Sequence, residues 1–184
     1  MARTPRKKAA AAGSRPPAAP AGLGVAERGG VGKIFTSSPV KVDFAGPGHR
    51  VHRVDLEIDG IYHGEASYEG RIFFNNDKAT GDTPRSRDEG YAGSFYVFAH
   101  GGCLGDPGHC DVNDRDREPY DLRRGHPLKP MKVRVNVTKT LQAIAAAKPE
   151  VVITIVPVIA AANELCDKEN VLRFEGMRFV GYDP

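Results

Sequence analysis

A chain of 184 residues with 40% hydrophobic side chains can bury one core, and its 21 glycines and 14 prolines favour short strands and many turns over long helices. The net charge of +3 is carried by the N-terminus: residues 1–30 hold six Lys and Arg against Glu27, a net of +5, which leaves −2 for the rest. That near-neutral remainder argues against a nucleic-acid-binding domain, no stretch nears the ~20 apolar residues of a membrane span, and three cysteines are too few for a disulfide-built scaffold.

Residues 1–32 are rich in Ala, Pro, Gly and Arg, cannot form a core, and are expected to be a disordered tail. The Ala run after the basic start is broken by Gly13, Arg15 and Pro16, so no secretory signal is read there and a cytoplasmic location is favoured. Residues 33–184 form the expected domain. Its strands are predicted at Val40–Phe44, Val51–Ile58, Tyr68–Asn75, Gly93–Phe98, Met131–Thr138, Val151–Val158 and Val171–Tyr182. Turns are predicted at Gly46–Gly48, Asp59–Gly60 and Asn75–Asp77, and a long loop runs from Gly101 to Pro130.

In MKVRVNV, Met131, Val133, Val135 and Val137 alternate with Lys132, Arg134 and Asn136, the pattern of a strand with one wet face. The VVITIVPV run is apolar throughout, as a central strand requires, and Pro157 should end or bulge its ladder. In VLRFEGMRFVGY, Gly176 is expected to bulge one continuous strand. The one predicted helix covers Thr138–Ala147, capped by Thr138 or Thr140, with Leu141, Ile144 and Ala145 as its apolar stripe. About seven strands and one short helix predict an all-β fold, an antiparallel sandwich or jelly-roll-like barrel.

The segment His100-Gly-Gly-Cys103-Leu-Gly-Asp-Pro-Gly-His109-Cys110 places two imidazoles and two thiols on a Gly-rich loop. Three readings stand side by side. His100, Cys103, His109 and Cys110 form a donor set suited to copper or zinc. Cys103 and Cys110 are spaced for a local disulfide. The segment is also compatible with plain loop structure. Cys166 reads as a lone thiol, and His49, His52, His63 and His126 as ordinary surface histidines. Asp111, Asp114, Asp116 and Asp121 are interspersed with Arg115, Arg117, Arg123 and Arg124, which favours a solvated ion-pair network over a calcium site. The GGVGK run at Gly29–Lys33 lacks the Ser or Thr of a phosphate loop, and no G-x-S-x-G elbow is present.

VDLEIDGIYHGEASYEGRIFFNN, residues 54–76, resembles the segment that opens the C-terminal domain of plant polyphenol oxidases, with EGRIFFNN where that family has a KFDV-like run. YAGSFYVFAHG, MKVRVNVTKTLQAI, EVVITIVPV and LRFEGMRFVGYD are similar to the elements that follow, in the same order, across residues 40–183. The Cys-bearing loop departs from the plant proteins and looks like bacterial tyrosinase-type proteins. The resemblance implies a β-sandwich or jelly-roll lying over a dicopper site and keeping the oxidase latent. The helical catalytic domain with its six copper-binding histidines has no counterpart here, so the resemblance implies an accessory domain and a tyrosinase-type catalytic partner, with no nucleic acid or membrane involved. Two alternatives remain: a small copper-binding or copper-delivery protein using the His100–Cys110 loop, and an independent cupin-like metalloenzyme.

Overall fold

The computed structural model describes residues 34–42, 52–64, 66–99, 120, 127–145, 150–159 and 171–182. The elements run β1 Phe35–Thr36, β2 Val40–Lys41, β3 Arg53–Ile61, β4 Tyr68–Phe74, β5 Tyr91–Val97, β6 Met131–Asn136, α1 Thr138–Ala145, β7 Glu150–Val151, β8 Ile153–Ile159 and β9 Gly176–Tyr182. They form a four-stranded sheet in the order β1-β8-β4-β5, a three-stranded sheet β6-β3-β9 and a two-stranded ribbon β2-β7, with antiparallel pairing throughout. Each predicted run contains a strand. Two more come from β1, which is too short to show a period, and from a break at Val152 that divides β7 from β8.

The larger two sheets pack as a sandwich because both carry apolar residues at every second position. Val54, Leu56 and Ile58 of β3 and Met177 and Phe179 of β9 bury against Ile72 and Phe74 of β4 and Ile153 and Ile155 of β8. Phe74 and Phe179 meet edge to face between the sheets at 5.8 Å, and Phe35 meets Phe174 likewise at 5.0 Å. On the other side of the four-stranded sheet, Phe73 and Val156 are covered by the segment after β4 through Ala79, with Tyr91 packed alongside.

Three local expectations are corrected. Asp59–Gly60 is no turn: both residues belong to β3, and Gly60 sits at φ 70 where the β3–β6 register shifts between Ile58 and Ile61. This is a glycine bulge, and a Cβ there would strike the Glu175 side chain. The ladder does not end at Pro157, because β8 pairs with β4 through Pro157 to Ile159. On the β1 flank the Ile153 N–H donates to Ser37 Oγ and the Ile153 carbonyl accepts the Ser37 N–H, so residue 157, of the same parity, turns its missing N–H to that flank, where β1 pairs only at Thr154 and Ile155. Gly176 is not a bulge either: it starts β9 in unbroken register with Asp59, and residues 171–174 precede the strand as irregular chain in which Val171, Leu172 and Phe174 are buried.

The helix starts at Thr138 as predicted, but its cap differs. Asn136 Oδ1 accepts the Thr138 N–H at 3.1 Å, while Thr138 Oγ1 accepts the Val54 N–H at 2.8 Å and so ties the helix to β3. Residues 1–33, the predicted Gly46–Gly48 turn and most of the long loop lie outside the described residues.

Candidate functional site

The outward face of the three-stranded sheet is a ladder of charge. On β3, Asp55, Glu57 and Asp59 alternate with the core residues, and the register sets Glu57 between Arg134 of β6 and Arg178 of β9. Arg134 Nε donates to Glu57 Oε1 at 2.6 Å, and Arg178 Nε donates to Oε2 at 2.8 Å. Lys132 Nζ lies 3.2 Å from Glu57 Oε2 and 3.0 Å from Asp59 Oδ1. These long side chains leave Glu57 only 2% exposed. Burial alone raises its pKa, but hydrogen bonds from Arg178, Lys132 and Arg134 outweigh it and bring the carboxyl down to about 2. Glu57 is therefore a fixed anion that positions two guanidinium groups, not a proton carrier. Asp55, also buried, holds Arg53 through both carboxylate oxygens at 2.7 and 2.8 Å.

A groove of about 790 Å³ opens where the start of β3, the segment before β5 and the first turn of α1 converge. Among the described residues its basic lining consists of Arg53, Arg85, Arg87 and Lys139 with His52 beside them, and no carboxylate is among them. Arg53 is braced from behind by Asp55, and Arg85 by Glu69 at 2.8 Å. The charge ladder and the groove went unpredicted because their members lie far apart in sequence. The ladder had a signal: acidic residues alternating along VDLEID face basic residues alternating along MKVR, which is what cross-strand pairing across a wet face requires.

The predicted metal set His100, Cys103, His109 and Cys110 lies outside the described residues, as do Cys166, His49, His126 and the Asp111–Arg124 charge cluster apart from Tyr120. The two described histidines sit at opposite ends of β3. His52 precedes the strand in the groove, and His63 follows it with Nε2 2.8 Å from the Lys129 carbonyl oxygen. Nine strand residues place them roughly 30 Å apart, too far to share a metal. Among the described residues no group of three His, Cys, Asp or Glu could hold a metal ion. No helix among the described residues is long and apolar enough to cross a membrane.

No protein-family model and no curated protein matches the sequence. Solved structures do match in fold. Latent aurone synthase (polyphenol oxidase) from natural source is 16% identical, with a TM-score of 0.51 over 85% of this chain and 26% of its own. Recombinantly expressed latent aurone synthase (polyphenol oxidase) gives the same identity and TM-score, over 85% of this chain and 25% of its own. At that identity the likeness is one of fold, and this chain spans about a quarter of the length of those proteins.

Proposed function

We propose that this chain is a non-catalytic accessory domain of a tyrosinase- or polyphenol-oxidase-type copper oxidoreductase, covering or assisting a dicopper catalytic domain. The observation that carries this reading is the extent of the shared fold: 85% of the chain superposes on a quarter of a latent polyphenol oxidase. The sequence resemblance runs through the same sandwich, from β2 to β9 in order. A dicopper site needs imidazoles held on a rigid frame. The chain has six histidines in all, none four residues from another as adjacent helical turns would require, and two of them are parted by the length of β3. On this reading the oxidation chemistry belongs to a partner domain or chain, and what this chain supplies is a surface.

The test is addition in trans. A six-histidine catalytic domain lacking its own C-terminal domain is assayed for diphenol oxidation with increasing amounts of the purified chain. The rate is expected to fall and saturate, while an unrelated β-sandwich at the same concentration leaves it unchanged. A rate indifferent to this chain at saturating concentration overturns the proposal.

A further inference from the structure

We propose that the groove between the start of β3 and the start of α1 is a binding site for an acidic peptide segment of a protein partner. This goes beyond the accessory-domain reading and does not depend on it. Residues 31–184 carry a net charge of −2, yet the described residues of the groove lining include three arginines, a lysine and a histidine with no carboxylate among them. Positive charge is thus concentrated at one concave place on a domain that is otherwise slightly acidic, which raises the local concentration of anionic groups there.

The cations are also prepared for a ligand. Arg53 spends Nε and Nη2 on Asp55, and Arg85 spends Nη2 on Glu69. Each guanidinium is thereby held in place by a carboxylate behind it and keeps further N–H donors for the groove. Arg87 and Lys139 are exposed and form no ion pair among the described residues. The amides of Lys139 and Thr140 lie ahead of the first intrahelical bond, from the Leu141 N–H to the Val137 carbonyl at 2.9 Å, and so have no acceptor within α1. They add partial positive charge at the same wall.

Size and lining select the class of ligand. About 790 Å³ is far more than one inorganic oxyanion fills, and the charges come from three separate segments, so the occupant carries several anionic groups along its length. The Asn136 and Gln142 amide nitrogens add donors that match a peptide backbone, while the Thr138 hydroxyl is engaged by Val54 and Asn136. Among the described lining residues the aromatic rings are His52 and Tyr91, and Tyr91 is packed edge-on against Phe73 at 5.6 Å, so no pair of open rings is presented to stack successive bases. An extended peptide bearing Asp and Glu fits these features better than a nucleic acid strand does.

The full chain is titrated into a short fluorescent peptide of alternating Asp and Glu, followed by anisotropy, with inorganic phosphate and a short oligothymidylate as competitors. Saturable binding is expected that weakens with salt, about tenfold or more in Arg87→Glu/Lys139→Glu and by less than about twofold in Lys41→Glu, an exposed residue on β2. All three positions are exposed, and unchanged melting temperatures establish that the variants fold. Binding that persists in the double variant assigns the peptide to the basic residues of positions 1–30 and overturns the proposal. So does displacement by phosphate at concentrations equal to the peptide, or oligothymidylate that binds more tightly than the peptide.

Discussion

Asn75 clasps Val152 from both sides: its N–H donates to the Val152 carbonyl at 2.8 Å, and its Oδ1 accepts the Val152 N–H at 2.9 Å. Val152 is the residue at which β7 gives way to β8, so this pair seals the point where the chain passes from the two-stranded ribbon into the four-stranded sheet. Asn75 achieves the grip at φ 55, a left-handed conformation that Asn tolerates better than most residues. Asn75→Ala loses both the side-chain bond and the backbone tolerance and is expected to destabilise the fold by about 1–3 kcal/mol in denaturant titration. Asn75→Gly should recover the backbone part of that loss only. Equal midpoints for Ala and Gly would remove the backbone contribution from the account.

The Glu57 ladder makes a pH prediction. Its folded pKa, about 2, lies below the ordinary 4.5, so the unfolded chain takes up the proton first as pH falls. The stabilisation is full above about pH 4.5 and is lost between there and about pH 2. Glu57→Gln keeps the shape but leaves Arg134, Arg178 and Lys132 facing one another, and should cost about 1–3 kcal/mol at neutral pH, less than a fully buried pair because the cations are half exposed. Melting temperatures of the parent and the variant should converge toward pH 2. Parallel curves down to that pH would show that Glu57 is not the group responsible.

Gly60 tests the bulge. Its φ of 70 and the closeness of Glu175 leave no room for a side chain without strain, so Gly60→Ala is expected to destabilise by about 1–2 kcal/mol. Gly81, in a turn with open surroundings, serves as the comparison, and Gly81→Ala should change the unfolding midpoint by less than about 0.5 kcal/mol.

Copper titration of the reduced chain bears on the Gly-rich loop. If His100, Cys103, His109 and Cys110 are ligands, cuprous copper binds with the loss of free thiol, and Cys103→Ser/Cys110→Ser abolishes it. Retention of copper by the double variant rules out this donor set.

The strands were legible wherever one face is wet. The alternation of Val133 and Val135 with Lys132 and Arg134 is a period-2 signal that needs no tertiary information, and the structure keeps that division of faces. Glycine and proline were harder to read. Asp59–Gly60 carries the composition of a hairpin turn, yet Ile61 re-enters the core and the strand continues, because a bulge needs the same positive φ as a turn. Pro157 was tolerated because its missing donor faces a flank the sequence does not identify. The groove was invisible for a different reason: Arg53, Arg87 and Lys139 are separated by 34 and 52 positions, and only the sandwich brings them together.

The two central pairings of the three-stranded sheet differ greatly in reach: β3 meets β6 about eighty positions downstream, and it meets β9 only at the far end of the chain, Arg53 opposite Tyr182. Phe35 likewise waits for Ile155. A topology so dominated by distant partners pays a large loop-closure entropy before its contacts form, and folding on the scale of about milliseconds to seconds follows. During synthesis, Glu57 leaves the ribosome long before Arg134 and Arg178 exist to cover it. Until then the middle strand has one hydrophobic side and one bare acidic side, and that uncovered acidity guards it against joining the wrong neighbour.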